Sequence, residues 1–339
     1  MARRRNVYNV FQTEEVLQKI NKHNKEIIEE YGLELKAKNK SAGTIVQYLN
    51  DLKILACYIC EYENNVPFYE VTRKQLRNFV LEMQERDMST ARLNRMLSSI
   101  RTMYDFAVDD EDYEDLYLKN PAAKIKGLAN KKVRDIEFLT REEVDKLYDY
   151  LMKEKLYQQA LLLALLIDTA ARKNEVYQVQ KDSIKEDDIF TNEVIGKGGK
   201  KFELVYNSLT VDTFKKYIRQ RGKDKENFLW YKKDSNGNIR ELSVKSLYDW
   251  VKNWNDYLEE ITGKEYDFNI HSFRHTALEL LSTGEHYICE KHGGIKVDLE
   301  VLQALANHND MSTTSSYLKE KKKDMLLEVF LLSSHSSFL

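Results

Sequence analysis

The regular spacing of apolar residues in the first third of the chain most constrains its fold. From Thr44, apolar residues recur with the 3.6-residue period of an amphipathic helix. A second such pattern opens at Thr72, where Gln75 three residues later completes a capping box. Further helical patterns begin at about Ser89 and, earlier, at Thr13. We therefore predict an N-terminal domain built from helices.

The helical pattern stops near Pro121, one of the chain's two prolines. Residues 121–135 lack a clear period and contain Gly127, so we place an interdomain linker there. The predicted domains on either side are residues 1–120 and 136–324, and an apolar tail follows at 325–339.

The second predicted domain mixes helices with short strands. A capping box at Thr140 opens a helix, and the almost entirely apolar run 160–167 predicts a buried one. Two β-like segments flank a glycine-rich turn at 196–199, which is typical of a hairpin. A second hairpin is predicted around Asn236-Gly237, and helix resumes from Ser243. The predicted fold class is mainly α with a small antiparallel sheet.

Composition excludes several classes of protein. The 339 residues are 42% hydrophobic and 32% charged, which is typical of a globular chain. We find no apolar run of the roughly 18 residues that a membrane span needs, and no apolar segment of a secretory signal follows the arginines at 3–5. Three cysteines do not form a disulfide framework, and Cys57-x-x-Cys60 falls inside a helical pattern, where we expect a structural role. The expected compartment is the cytoplasm.

The distribution of charge matters more than its total. A net charge of −2 argues weakly against binding to nucleic acid. However, residues 109–115 hold six acids, whereas 119–134 hold basic residues and no acid. One face can therefore be strongly positive. Arg92, Arg95 and Arg101 lie on the polar side of one predicted helix, which is either a solvated face or a surface that contacts DNA phosphates.

Six polar side chains in the second domain suit chemistry at a phosphodiester. Two guanidiniums, an ammonium and two imidazoles can stabilise an anionic phosphate, and a phenol can act as the nucleophile. We find no convincing carboxylate cluster of the kind that a metal-dependent nuclease needs. We therefore predict cutting and rejoining of DNA through a phosphotyrosine, without a metal or other cofactor. The six residues are Arg172, Lys197, His271, Arg274, His308 and Tyr317.

These residues lie in five short motifs. The motifs are T-A-A-R-K-N-E at 169–175, G-K-G at 196–198, H-S-F-R-H at 271–275, A-N-H at 306–308, and Tyr317. Together they resemble the tyrosine recombinase family, of the phage-integrase and Xer type. Tyr317 follows His308 at the family's nine-residue interval, and Lys197 follows Arg172 by 25 residues, close to the usual spacing. The motifs cover residues 140–320, whereas the N-terminal half resembles the family's core-binding domain only in its helical pattern.

The resemblance implies a role for each cationic side chain around the phosphate. Arg172 and Arg274 would bind the non-bridging oxygens through their planar, paired donors, and His308 would donate a further hydrogen bond. Glu175 would support the Arg172 guanidinium, although a plain structural salt bridge between the two is the alternative. His275 is expected to act behind the catalytic residues or in the core.

Proton transfer would involve the remaining residues. Lys197 would protonate the leaving 5′-oxygen, and His271 would accept the proton of Tyr317, a phenol whose unperturbed pKa is near 10. The alternatives are that Lys197 is a solvated hairpin lysine and that Lys200 or Lys201 takes its role.

The family's architecture implies a two-domain clamp around duplex DNA. A helical, SAM-like core-binding domain and a catalytic domain would close on the duplex, joined by the basic linker. The expected partners are double-stranded DNA and further copies of this chain, four of them in synapsis, with the tail docked on a neighbouring copy or packed within its own chain. The residues expected to contact DNA are Arg92, Arg95, Arg101, Lys124, Lys126, Lys131, Lys132 and Arg134.

The sequence departs from the family pattern at a few places. Ala170 and Asn307 stand where the family usually has glycine. The spacing from His275 to His308 is also longer than in compact members, and the excess near 286–294 contains H-x-x-C-x-x-H. We interpret that insertion as a surface loop rather than a zinc site. The substitutions leave one rival to an integrase- or excisionase-type recombinase, namely a DNA-binding regulator that has lost turnover.

Overall fold

The chain divides into two compact units, Met1–Asp135 and Ile136–Leu339. The computed structural model describes residues 12–129 and 138–306. Each unit buries its own apolar core. The fold is mainly helical, with a helical first unit and a second unit that adds two small antiparallel sheets.

The first unit is helical, as the apolar spacing predicted. Its helices are α1 (Glu14–Lys19), α2 (Lys22–Ala37), α3 (Ala42–Tyr62), α4 (Arg73–Glu85) and α5 (Thr90–Asp109), with a 3₁₀ turn at Phe68–Glu70. Helix α3 packs against α1, α2 and α5.

Local capping fixes where these helices begin. The Thr72 hydroxyl accepts from the backbone N–H of Gln75, and the Gln75 side-chain oxygen accepts from the backbone N–H of Thr72. The predicted capping box is therefore formed. Ser41 and Ser89 cap α3 and α5 through their hydroxyls. Apolar residues such as Leu52 then face inward and are fully buried.

The first part of the predicted linker packs along α5. The side chain of Asn94 accepts from the backbone N–H of Leu128 at 2.7 Å and donates to its carbonyl at 2.8 Å. Arg101 donates to the carbonyl of Ile125 at 3.0 Å, and Ala122 is fully buried. This stretch is therefore held by the first unit.

The second unit carries the remaining described elements. Its helices are α6 (Arg141–Lys153), α7 (Tyr157–Thr169), α8 (Lys173–Tyr177), α9 (Ser208–Arg221), α10 (Val244–Thr262), α11 (Ile270–Thr283), α12 (Tyr287–Lys291) and α13 (Leu299–Ala306), with 3₁₀ turns at Lys181–Ser183 and Lys197–Gly199. Its strands are β1 (Val194–Ile195), β2 (Lys201–Phe202), β3 (Tyr231–Lys233) and β4 (Ile239–Glu241). None of the helices in the described ranges is long and apolar enough to cross a membrane.

Helix α7 is the centre of the second unit. It contains the predicted apolar run, and residues 160–167 are buried on every side because α6, α9 and α11 pack around it. The capping box of Thr140 with Glu143 begins α6, as predicted. Both hairpins form where glycine predicted them, although β1 and β2 are only two residues long and pair at Val194↔Phe202 and Ile195↔Lys201.

The insertion near 286–294 is a surface loop only in part: residues 290–294 are exposed, but the residues before them pack into the second unit. Helix α12 lies there, and Cys289 and His286 on it are buried. The hydroxyl of Tyr287 donates to the buried carboxylate of Asp168 in α7. Arg141 at the start of α6 pairs with Glu290 at 3.1 Å. These contacts span several elements, which is why the local sequence gave no sign of them.

Asp168 also holds the start of α9. Its Oδ2 accepts from the backbone N–H groups of Asn207 and Thr210, at 2.9 and 3.2 Å, and from the Thr210 hydroxyl at 2.7 Å. A carboxylate at a helix N-terminus satisfies free N–H groups and interacts favourably with the helix dipole. The contact ties the end of α7 to the segment that returns from β2.

Candidate active site

Three of the predicted catalytic residues line one open pocket in the second unit. Arg172, Lys197 and His271 surround a volume of about 430 Å³, together with Glu175 and the backbone of Gly196. The three come from the start of α8, the turn after β1 and the start of α11. Folding therefore gathers a guanidinium, an ammonium and an imidazole at one surface, which suits an anionic ligand such as a phosphate.

Arg172 is positioned by a sharp turn between α7 and α8. Helix α7 is followed by its C-cap Ala170, whose φ of 48° and ψ of 23° lie in the left-handed region that favours glycine. The backbone N–H of Arg172 donates to Glu175 Oε2 at 2.7 Å, and its Nη1 donates to Glu175 Oε1 at 3.0 Å. Glu175 is buried, whereas the Arg172 side chain keeps 32% of its surface exposed. The carboxylate thus fixes the arginine and leaves it open to the pocket.

Arg274 is buried, with 1% of its surface exposed. Its guanidinium donates to the carbonyl of Ala170 at 2.7 Å and to the carbonyl of Ala306. The side chain therefore braces the turn before Arg172 and the end of α13, two residues before His308. The predicted role for Arg274 was direct contact with the phosphate. The structure instead shows bonds to two backbone carbonyls, so that prediction stays untested.

His271 is exposed at the first turn of α11, where Asn269 caps the helix and accepts from the His271 N–H at 2.9 Å. Desolvation lowers the pKa of His271 below 6.5, and the charges of Arg274 and Arg172 add to the effect. A lowered pKa favours the neutral imidazole, which is the form that can accept a proton. His275 packs beneath it, with ring centroids 4.6 Å apart, and is itself buried against Phe138.

Lys197 extends from the tight turn between β1 and β2. Its side chain is exposed, and the turn is built on Gly198 and Gly199, which both have positive φ. A Cβ at Gly196 would lie 2.6 Å from the Phe202 ring and 3.3 Å from Glu175 Oε1, so only glycine lets the turn approach so closely. Among the alternatives, Lys201 is paired with Glu193 at 3.0 Å.

Several predicted residues lie outside the described ranges. His308 and Tyr317 follow residue 306, and Lys131, Lys132 and Arg134 fall between 129 and 138. The predictions for these residues remain predictions.

The basic residues of the first unit occupy different settings. Arg95 donates to the fully buried carboxylate of Asp51, from Nη2 at 2.9 Å and from Nε at 3.2 Å. Arg101 binds the carbonyl of Ile125, and Arg92 is partly buried on α5. Lys124 and Lys126 are exposed. Arg95 and Arg101 thus have structural bonds within the first unit.

Sequence reasoning missed two residues that support these side chains. Asp51 lies in the helix that the apolar spacing from Thr44 predicted, but the spacing did not single it out, and its partner Arg95 lies 44 residues away. Gln178, at the end of α8, bonds to the backbone of Ile195 beside the Lys197 turn. Neither contact has a signal in local spacing, because each joins distant segments.

In the H-x-x-C-x-x-H segment, His286 makes hydrogen bonds to backbone groups. His286 Nδ1 accepts from the Ile288 N–H, and Nε2 lies 3.3 Å from the carbonyl of Ile167. Within residues 12–129 and 138–306, no group of three or more His, Cys, Asp or Glu side chains could hold a metal ion.

Two family patterns match the chain. The pattern described as "Phage integrase family" matches residues 137–324, which is more than half of the chain, and "Phage integrase, N-terminal SAM-like domain" matches residues 28–111.

Named relatives align over most of their length. A tyrosine recombinase of Pseudothermotoga lettingae is 25% identical over 287 residues, covering 82% of this chain and 87% of the relative. The tyrosine recombinase XerA of Pyrococcus horikoshii is also 25% identical, over 89% of this chain and 92% of the relative.

Solved structures share the fold. A lambda integrase dimer bound to a COC′ core site superposes with a TM-score of 0.62 at 16% identity, covering 86% of this chain and 76% of that one. The XerH site-specific recombinase bound to a palindromic difH substrate gives a TM-score of 0.63 at 17% identity, covering 98% of this chain and 91% of that one.

The helical first unit and the mixed second unit correspond to the two matched patterns, and the cationic pocket lies within the second. The chain therefore belongs to the phage integrase family and is a tyrosine-type site-specific recombinase, an enzyme that cuts and rejoins DNA.

Proposed function

We propose that this recombinase cuts each strand through Tyr317 and is of the integrase or excisionase type, forming a covalent 3′-phosphotyrosine intermediate. The observation that carries the proposal is the pocket in which Arg172, Lys197 and His271 meet. These three side chains are among those that the reaction needs around the nucleophile, and His308 and Tyr317 follow α13 in the chain.

The chemistry divides between the residues as follows. The Tyr317 oxygen attacks phosphorus, its proton passes to the neutral His271, and the new P–O bond replaces the bond to the 5′-oxygen. Lys197 gives a proton to that leaving oxygen. Arg172, Arg274 and His308 stabilise the charge that develops on the non-bridging oxygens. The phosphotyrosine conserves the energy of the broken bond, so a 5′-hydroxyl can reverse the reaction without ATP, and the proposal needs no metal or other cofactor.

The wider assembly follows from the same proposal. Both units would contact duplex DNA, and the domains would be residues 1–120 and 136–324 joined at 121–135, with a tail at 325–339. Phosphates would be contacted by exposed lysines such as Lys124 and Lys126 and by the basic residues at 131–134. Two sites exchange strands between four protomers, and the lambda integrase tetramer bound to a Holliday junction has the same fold. We place the reaction in the cytoplasm, with the DNA.

A covalent trapping experiment tests the proposal. Duplexes that bind the protein are first selected from a random library, and the selected site is then made with a nick beside the cleaved position so that the cut fragment diffuses away. We expect a DNA adduct that survives detergent and is absent in Tyr317→Phe. Arg172→Ala should slow adduct formation by at least about 100-fold, because one transition-state donor is worth roughly 3 kcal/mol.

The same experiment decides against the rival function. A regulator without turnover would protect the selected site from nuclease digestion and give no adduct with the wild-type protein. An adduct that persists in Tyr317→Phe would instead assign the nucleophile to another residue.

A further inference from the structure

The hairpin that carries Lys197 is short. Strands β1 and β2 form two residue pairs, and one further bridge joins Phe190 to Val205. An isolated two-stranded hairpin of this kind is marginally stable in water. The Lys197 side chain is exposed at its turn. A contact from outside the hairpin therefore helps to place the lysine at the pocket.

Gln178 supplies that contact from the C-terminal end of α8. Its Nε2 donates to the carbonyl of Ile195 at 2.9 Å, and its Oε1 accepts from the N–H of Ile195 at 3.0 Å. The side-chain amide thus pairs with the edge of β1 as a neighbouring strand would. Ile195 lies two residues before Lys197, so the contact fixes the base of the turn.

The amide itself is held in place. The second N–H of Gln178 Nε2 donates to the carbonyl of Asn174 at 2.7 Å, within the same helix. The backbone carbonyl of Gln178 accepts from Asn192 Nδ2 at 3.1 Å, on the segment that leads into β1. Every polar atom of the side chain is therefore used, and the orientation of the amide follows from the donor and the acceptor that Ile195 offers.

Helix α8 therefore links Arg172 to the base of the turn that carries Lys197. Arg172 is its N-cap and Gln178 its C-cap, and the helix between them is five residues long. Glu175, which binds Arg172, also lies within 3.3 Å of where a Cβ on Gly196 would be. From these contacts we infer that Gln178 is a positioning residue for Lys197, and that α8 sets the distance between the lysine and Arg172.

This inference rests on the proposed role of Lys197 as the general acid, and it predicts a specific defect. A misplaced acid slows the reaction only when the leaving group needs a proton. Replacing the bridging 5′-oxygen by sulfur makes the leaving group a thiolate, which departs without protonation because its conjugate acid is far stronger than an alcohol. A general structural defect would slow cleavage of both substrates alike.

The experiment measures the single-turnover rate of adduct formation on the selected, nicked site, with saturating protein and with oxygen or sulfur at the bridging position. Gln178→Ala should be slower by roughly 10- to 100-fold on the oxygen substrate, since small misplacements of a catalytic group have effects of this size. On the sulfur substrate it should approach the wild-type rate. Gln178→Glu should show the same pattern, because its carboxylate has no N–H to donate to Ile195 or Asn174.

Two further variants make the outcome decisive. Gln180→Ala is the matched control. Gln180 is exposed two residues along the chain, and among the described contacts its Oε1 accepts only from Asn227. The Gln180→Ala variant should therefore cleave both substrates at the wild-type rate. Lys197→Ala should be slow on oxygen and rescued by sulfur. If Lys197→Ala is rescued and Gln178→Ala is not, or if Gln178→Ala cleaves the oxygen substrate at the wild-type rate, the positioning role is wrong. If Lys197→Ala is not rescued, the acid assignment fails and the positioning role falls with it.

Discussion

Single residues in this protein are set by partners that are distant in sequence. Arg95 pairs with Asp51 across 44 residues, and Arg274 reaches the carbonyl of Ala170 across 104. Such contacts satisfy buried charges and carbonyls that would otherwise lower stability by several kcal/mol. The buried side chain of His286 allows the effect of one such environment on stability to be measured.

His286 should make the second unit less stable in acid. Burial is the main cause that lowers the pKa of His286 from 6.5 to about 4. The folded state therefore binds fewer protons than the unfolded state between these two values, so stability falls as the pH decreases below about 6.5. We expect a loss of about 2 kcal/mol between pH 7 and pH 5 from this group alone.

The measurement compares unfolding by urea at the two pH values in the wild type and in His286→Asn. Asparagine retains the acceptor that caps α12, but it does not titrate. The difference between pH 7 and pH 5 should shrink by about 2 kcal/mol in the variant. An equal pH dependence in both proteins would contradict the assignment.

At the scale of elements, local signals in the sequence located helices and turns well. The capping boxes at Thr72 and Thr140 could be predicted from the sequence because the two partners of each box lie three residues apart. The β1–β2 turn could be predicted from its glycines because the backbone requires positive φ there. Helix α12 was missed, since five residues have little propensity of their own and depend on bonds to other elements such as the one to Asp168.

Two lysines at the C-terminal end of α6 allow the effect of backbone conformation on stability to be tested. Lys155 has a φ of 56°, in the left-handed region, and is exposed. Lys155→Gly should raise the free energy of unfolding of the second unit by about 0.5 to 1 kcal/mol, because glycine adopts this conformation without strain. Denaturation in urea measures the change.

Lys153 is the matched control, two residues earlier and also exposed but within the helix. Lys153→Gly should lower the free energy of unfolding by about 0.5 to 1 kcal/mol. The same substitution thus has opposite signs at neighbouring sites. A loss of stability in both variants would show that Lys155 is not strained.

At the scale of the whole molecule, the sequence predicted the fold class, and three of the six predicted catalytic residues line one pocket. These three residues could be found because each lies in a short motif that resembles the tyrosine recombinase family. The sequence did not predict that Arg274 would donate to two backbone carbonyls, because those carbonyls belong to Ala170 and Ala306, which are 104 and 32 residues away in sequence. The role of the tail also belongs to this scale.

The apolar tail provides the prediction for assembly. Residues 325–332 are mostly apolar, and residues 333–339 are mostly serine. If the tail docks on a neighbouring protomer, deletion of 325–339 should reduce cooperative assembly on DNA carrying two selected sites by at least about tenfold, since several apolar side chains lose their burial. Native gel electrophoresis measures the assembly, and deletion of 333–339 alone is the control.

Packing of the tail within its own chain would give a different result. The longer deletion would then lower the stability of the isolated protein and leave cooperativity between protomers unchanged. That outcome would reject docking in trans.

The short helix between Arg172 and Gln178 has a consequence for anyone redesigning this enzyme. Adding or removing one residue within it would rotate one end against the other by about 100°, since a turn takes 3.6 residues. Chimeras that exchange DNA-binding surfaces between relatives should therefore place their junctions elsewhere and transfer residues 172–178 together with the lysine hairpin as a single cassette.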